Sequence, residues 1–243
     1  MENSSVKRIS LWSGPRNIST ALMYSFAQRE DTKVFDEPLY AYYLKNTQAR
    51  NYHPGAETIL STMENNGAEV VKMMLSYSEK PVLFFKNMTH HLLNLDRSFM
   101  KSICNVILTR DPREMLPSFA KVIKNPSMSD VGYKLHIDLV TYFETEDIDY
   151  VVLDAKHVLL DPEGVLKQLC SHIKIPFDMN MLSWQPQKLQ DDGVWAKYWY
   201  DNVHKSSKFA EYQPKTDPFP EDLLPLLNEC LPYYNQLSQR ALT

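Results

Sequence analysis

The stretch LWSGPRNISTAL (Leu11–Leu22) closes one apolar run and opens a helical one. Between them stand a Ser13-Gly14-Pro15 turn, a cation at Arg16, then Asn17 and the adjacent hydroxyls of Ser19 and Thr20. The first amides of a helix are unpaired and carry the positive end of its dipole, so such a strand-to-helix loop suits an anion. Arg16 adds a bidentate cationic fork, and Ser19 and Thr20 add hydroxyl donors. A nucleoside-triphosphate loop carries a lysine directly beside its Ser or Thr. Here the cation precedes the hydroxyls instead, so the triphosphate reading is poor. The same residues also read as a plain turn with a serine capping the helix.

Working outward, short runs rich in β-branched and aromatic residues recur at 6–12, 32–38, 81–87, 105–111 and 149–155. Runs that are apolar on both faces are the mark of parallel strands. Helical patterns fill intervals at 19–30, 112–123, 133–144 and 161–173, the last begun by Asp161-Pro162. This alternation predicts the α/β class, a parallel β-sheet of about five strands flanked by helices. After Pro176 the pattern yields to a stretch rich in Trp, Tyr, Pro and Lys, expected to form a loop-rich C-terminal lid before a helix at about 221–239. The expected organisation is a single domain over 1–243, with its core at about 6–178 and the lid and last helix at about 179–243.

Apolar residues make up 44% and charged residues 23% of the 243, as in ordinary globular chains. A net charge of −4 argues against a broad nucleic-acid surface. Cys104, Cys170 and Cys230 have no metal-site or redox spacing. No apolar run approaches the length of a membrane span, and the start shows no secretory pattern. A cytoplasmic protein with neither nucleic-acid nor membrane partner is expected.

A second anion site is legible in NVILTRDPREMLPSF, where Arg110 ends a strand and Ser118 follows on the next helix. Ligands of open parallel sheets collect at that edge. Taken alone, Arg-Asp-Pro also reads as a helix start capped by Asp111.

Taken in order, SGPRNIST, LTRDPREMLPSF and LLDPEGVLKQLCSHIKIPF resemble the motifs of the sulfotransferases that use 3′-phosphoadenosine 5′-phosphosulfate (PAPS), over roughly residues 6–178. The resemblance implies a P-loop-type fold. It also implies transfer of a sulfuryl group from PAPS to a hydroxyl or amine of a small-molecule acceptor, in line, with a general base and no metal. It puts Arg16, Asn17, Ser19 and Thr20 at the 5′-phosphosulfate, and Arg110 and Ser118 at the 3′-phosphate. Ile18 stands where the family usually has glycine, and Ala21 where the animal cytosolic members have an adenine-stacking Trp. The family's C-terminal Arg-Lys-Gly triplet is absent, and Lys205, Ser206 and Ser207 are the expected substitutes.

Sulfuryl transfer needs a base for the acceptor's proton and cations for the charge on the transferred group. Lys86 and Arg16 match the cations. Glu37 in FDEPLY and His90 in FFKNMTHHLL compete for the base, with His91 behind both. Tyrosines 40, 42, 43 and 52 suit either an aromatic acceptor pocket or a helix packing face, and the Trp195–Tyr200 cluster suits either a purine or a packed loop. A small-molecule kinase on a similar frame and a non-catalytic nucleotide-binding module are the alternative functions.

Overall fold

A computed structural model describes residues 6–243. Its frame is one five-stranded sheet of β1 (Lys7–Ser13), β2 (Thr32–Asp36), β3 (Val82–Met88), β4 (Cys104–Thr109) and β5 (Tyr150–Asp154). All neighbours pair in parallel, in the order β2-β3-β1-β4-β5. Side chains alternate between two cores, which is why the inner strands carry apolar residues on both faces. Ile9, Leu11, Phe84, Val106, Leu108, Val151 and Leu153 face one cluster. Trp12, Leu83, Phe85, Ile107 and Val152 face the other. The Trp12 indole, buried on β1, donates to Asn105 Oδ1 of β4 at 3.1 Å.

Helix α1 (Ser19–Phe26) follows β1. Between β2 and β3 run α2 (Tyr40–Asn46), α3 (Ala56–Thr62) and α4 (Gly67–Ser76). After β4 come α5 (Pro112–Phe119), α6 (Met128–Val131) and α7 (Tyr133–Thr145), and after β5 come α8 (Ala155–Leu160) and α9 (Pro162–His172). The C-terminal stretch holds only the short α10 (Ala196–Trp199) and α11 (Asp201–His204) before α12 (Leu224–Ser238). Asp161 caps α9 by accepting from the Gly164 amide, with Pro162 at the first helical position, as the sequence predicts.

Two helices end sooner than their apolar pattern suggests. Helix α1 stops at Phe26 rather than running to residue 30, because Arg29 turns inward to donate to the Pro176 carbonyl at 2.6 Å and to pair with Asp31. Helix α5 stops at Phe119, two residues after its internal Pro117.

The chain leaves β1 toward β2 and leaves β4 toward β5, so the loops after these adjacent strands diverge and open a crevice at their carboxyl ends. Gly14 sits there against α6. A Cβ added at Gly14 would lie 2.8 Å from the Val131 carbonyl oxygen, so only glycine lets the loop pass. Gly14→Ala is expected to destabilise the fold by about 1–3 kcal/mol through overpacking. Denaturant titration should show the lower midpoint with an unchanged slope.

Candidate active site

A cleft of about 850 Å³, counting its open mouth, lies over the carboxyl ends of β1, β2 and β3. Arg16, Asn17, Ser19, Thr20, Glu37, Lys86 and His90 all line it. So do Tyr40, Tyr43, Tyr52, Trp195 and Trp199. Tyr42 turns away and packs beside Gly67 in the second core, where an added Cβ would meet its ring at 3.0 Å.

At the β1–β4 crevice the two predicted anion sites become one. Arg16 Nε donates to Ser118 Oγ at 3.2 Å, and Arg110 donates to the Arg16 carbonyl at 3.2 Å. Asn17 braces the loop by donating to the Leu108 carbonyl at the end of β4, while its own Oδ1 accepts from the Ile18 amide. Helix α1 begins after Ile18 with no side-chain cap, so a serine cap does not form, and Ser19 and Thr20 stand at its first turn. Burial, and then the nearby Arg110, both work against the Arg16 charge and lower its pKa. Arg110 leans on Glu114 at 3.2 Å.

A third cation arrives from outside the predicted set. Lys215 donates to the Glu114 carbonyl at 2.7 Å, and burial, followed by Arg110, lowers its pKa too. Tyr212 secures this strand of chain by donating to Glu114 Oε1 at 2.7 Å. Lys205, Ser206 and Ser207 take no part in this arrangement. Lys205 pairs with Asp201 of its own helical turn in an exposed position, and Ser206 accepts from the Trp184 indole. Lys215 stands in a Pro- and Asp-rich stretch that carries no motif, and only the path of the chain brings it to α5.

The second focus of the site is Lys86, which is buried at the end of β3. Its ammonium donates to Asp36 Oδ1 at 2.8 Å, Glu37 Oε1 at 2.6 Å and Tyr200 Oη at 2.6 Å. Tyr200 in turn donates to Asp36 and accepts from the Trp195 indole at 3.2 Å. The Gly193 amide donates to the other Asp36 oxygen at 2.9 Å. A Cβ at Gly193 would lie 2.2 Å from the Trp195 ring, so this close turn demands glycine. Burial works against the Lys86 charge, but Asp36 and Glu37 outweigh it and hold the pKa well above the ordinary lysine value. Burial raises the Glu37 pKa, with Lys86 pulling the other way. The rise prevails because one ammonium faces two carboxylates, leaving a surplus negative charge in a buried place.

The histidines differ in role. His91 is sandwiched between the Tyr40 and Tyr43 rings, with centroids at 4.8 and 4.6 Å, and burial keeps it neutral. His90 lines the cleft, but burial pushes its pKa down to about 4, so it is a weak base. Among the described residues no group of three or more His, Cys, Asp or Glu is arranged to hold a metal ion, and no helix is long and apolar enough to cross a membrane.

A family model described as a sulfotransferase domain matches residues 7–241. The chain belongs to the sulfotransferase-domain family. Two Arabidopsis thaliana relatives are similar to it over nearly its full length. One, branched-chain-amino-acid aminotransferase-like protein 2, is 38% identical over 231 residues, which is 94% of this chain and 41% of that protein. The other, branched-chain-amino-acid aminotransferase-like protein 1, is 40% identical over 228 residues, which is 93% of this chain and 40% of that protein. The chain thus spans about two fifths of the length of these relatives. Among solved structures, the sulfotransferase domain of the Synechococcus PCC 7002 olefin synthase superposes with a TM-score of 0.57 at 15% identity, covering 93% of this chain and 94% of that one. The sulfotransferase domain of the curacin biosynthetic pathway gives 0.53 at 14% identity, covering 96% and 97%. These likenesses establish the P-loop-like sulfotransferase fold.

The Lys86 network orders two substitutions in this sulfotransferase-family domain. Lys86→Met strands two buried carboxylates and is expected to cost about 3–5 kcal/mol of stability. Tyr200→Phe removes one donor and one acceptor and is expected to cost about 1–3 kcal/mol. Chemical denaturation of both variants checks the order, and equal losses would contradict the central place given to the ammonium.

Proposed function

We propose that this domain transfers a sulfuryl group from PAPS to a small acceptor held in the aromatic part of the cleft. The observation that carries the reading is the gathering of Arg16, Arg110 and Lys215 at one crevice, where burial and Arg110 work against the Arg16 charge, and partial burial and Arg110 work against that of the more exposed Lys215. Cations are brought together at such a cost where an anion of high charge offsets it. Glu114 answers only part of this charge, and the remainder fits a nucleotide with phosphate groups at two positions. In this reading Arg110, Ser118 and Lys215 hold the 3′-phosphate. Arg16, Asn17, Ser19, Thr20 and the first turn of α1 hold the 5′-phosphosulfate. PAPS supplies the activated sulfuryl group.

Glu37 is the base in this reading. Its raised pKa brings it closer to the working pH, whereas His90 would surrender an accepted proton too readily. Protonating Glu37 has a second consequence. All three Lys86 protons are engaged, one of them by Glu37. Once Glu37 is neutral its hold on that proton weakens, and Lys86 gains a donor for the charge leaving with the phosphate. Proton acceptance and cation supply are thereby linked at one carboxylate.

Isothermal calorimetry tests the donor site with 3′-phosphoadenosine 5′-phosphate against ADP. The 3′-phosphorylated nucleotide should bind at least about tenfold more tightly, and Arg110→Ala or Lys215→Ala should erase most of that margin. Equal binding of the two nucleotides would overturn the reading.

The acid–base assignment has its own test. A base works deprotonated, so kcat should fall as pH drops through a Glu37 pKa lying above the ordinary carboxylate range. Glu37→Gln should remove turnover while nucleotide affinity stays, and His90→Ala should retain the acidic limb. If His90→Ala abolishes that limb, Glu37 is not the base.

A further inference from the structure

Part of the cleft lining is built from different chemistry. Tyr43, Tyr52, His53, His90, Trp199 and Asp130 line it, and the lining contains no Lys or Arg beyond Arg16 and Lys86. The Tyr43 ring lies 5.0 Å from His90 and 5.9 Å from His53, and the Tyr52 ring lies 5.1 Å from His53, so these groups form one wall. Asp130 belongs to this wall. Its Oδ2 accepts from the Ser127 amide at 2.8 Å and hydroxyl at 2.6 Å, closing the capping box of α6. Its Oδ1 accepts no hydrogen bond from the described residues. The carboxylate is close enough to oppose the effect of burial on His53 and His90, yet both imidazoles stay below the ordinary histidine pKa and neutral. Asp130 therefore brings a carboxylate with one oxygen free of hydrogen bonds from the described residues to the cleft that the tyrosine and tryptophan rings line. Electron-rich ring faces and a carboxylate in one cleft suit an ammonium group, and they repel a carboxylate or phosphate.

We propose that the acceptor is a compact hydroxyl compound carrying an ammonium group, with Asp130 as the residue that selects the charge. This deepens the sulfotransferase reading and rests on it. A protonated amine has no lone pair for attack, so the hydroxyl is the nucleophile and the product is an O-sulfate. The acceptor oxygen forms the new bond to sulfur and its proton passes to Glu37. The bond from sulfur to the 5′-phosphate oxygen breaks, and the phosphate departs with the bonding pair.

Three phenols of matched size and different charge test the idea: tyramine, 4-ethylphenol and 3-(4-hydroxyphenyl)propanoate. Binding is read from quenching of Trp195 and Trp199 fluorescence with 3′-phosphoadenosine 5′-phosphate present, and turnover with PAPS from mass spectrometry of the sulfated phenol. Tyramine should bind about tenfold more tightly than the neutral phenol, with the anion weakest, and Asp130→Asn should narrow that gap to under about threefold. Should the variant fail to fold, the wild-type ranking still decides. The proposal is overturned if the neutral or anionic phenol binds as tightly as tyramine, or if a folded Asp130→Asn protein keeps the preference. It is also overturned if none of the three binds while the nucleotide does, which leaves the sulfotransferase reading standing. Failure of the nucleotide itself to bind would instead remove that reading.

Discussion

One buried ammonium ties the architecture of this site together. Lys86 stands at the end of β3, Asp36 at the end of β2, Glu37 one residue beyond it, and Tyr200 more than a hundred residues later. Removing a charge from water costs several kcal/mol unless every proton finds a partner, and here all three do. The arrangement therefore specifies geometry more than it adds stability. The C-terminal segment can settle only where Tyr200 reaches both Lys86 and Asp36, with the Gly193 amide on the far Asp36 oxygen. That same seating presents Trp195 and Trp199 to the cleft. A lid rich in loops thus gains a defined position from a network that also contains the Glu37 carboxylate.

The distribution of charge divides the cleft by function. Cations cluster where β1 and β4 part, and they receive help from the first turn of α1. Glu37 and Lys86 stand at the ends of β2 and β3. Beyond them the walls are aromatic, with neutral imidazoles and one carboxylate. In the proposed reaction an anionic donor and an acceptor of different charge would share this one cleft.

Much of this frame was legible because it depends on local pattern. Strands buried on both faces carry apolar runs, and a helix that starts at Asp161-Pro162 announces itself chemically. The strand-to-helix loop SGPRNIST was legible for the same reason, whereas Ser118 meets Arg16, 102 residues away, only through the fold. Helices α2, α3 and α4 were harder. They are short, and their tyrosines serve both packing and cleft lining, so Tyr42 and Tyr43 look alike in sequence and face different ways in space. Asp36, Tyr200 and Lys215 were illegible because long-range chain path decides their neighbours. Lys205 shows the converse, since a motif-like context led to an exposed i,i+4 pair.

Backbone strain marks the same two foci independently of any motif. Six non-glycine residues of the described chain have positive φ, and two of them, Arg16 at 50° and Glu37 at 44°, stand at the carboxyl edge of the sheet. Asp147 and Lys174 follow helix ends, where the left-handed conformation is an ordinary stop. Glycine would relieve the strain at either edge position, which costs on the order of 1 kcal/mol for a side chain. The chain keeps a guanidinium at one and a carboxylate at the other. Around Glu37 the surroundings explain how the strain is held: its amide donates to the Lys86 carbonyl at 2.8 Å, and its carbonyl accepts from the Tyr40 amide at 2.9 Å. With the backbone fixed on both sides and Lys86 on one oxygen, the carboxylate has little freedom left. A carboxylate aimed in advance loses little entropy when a partner arrives, and that is the advantage a strained turn provides at this edge of the sheet.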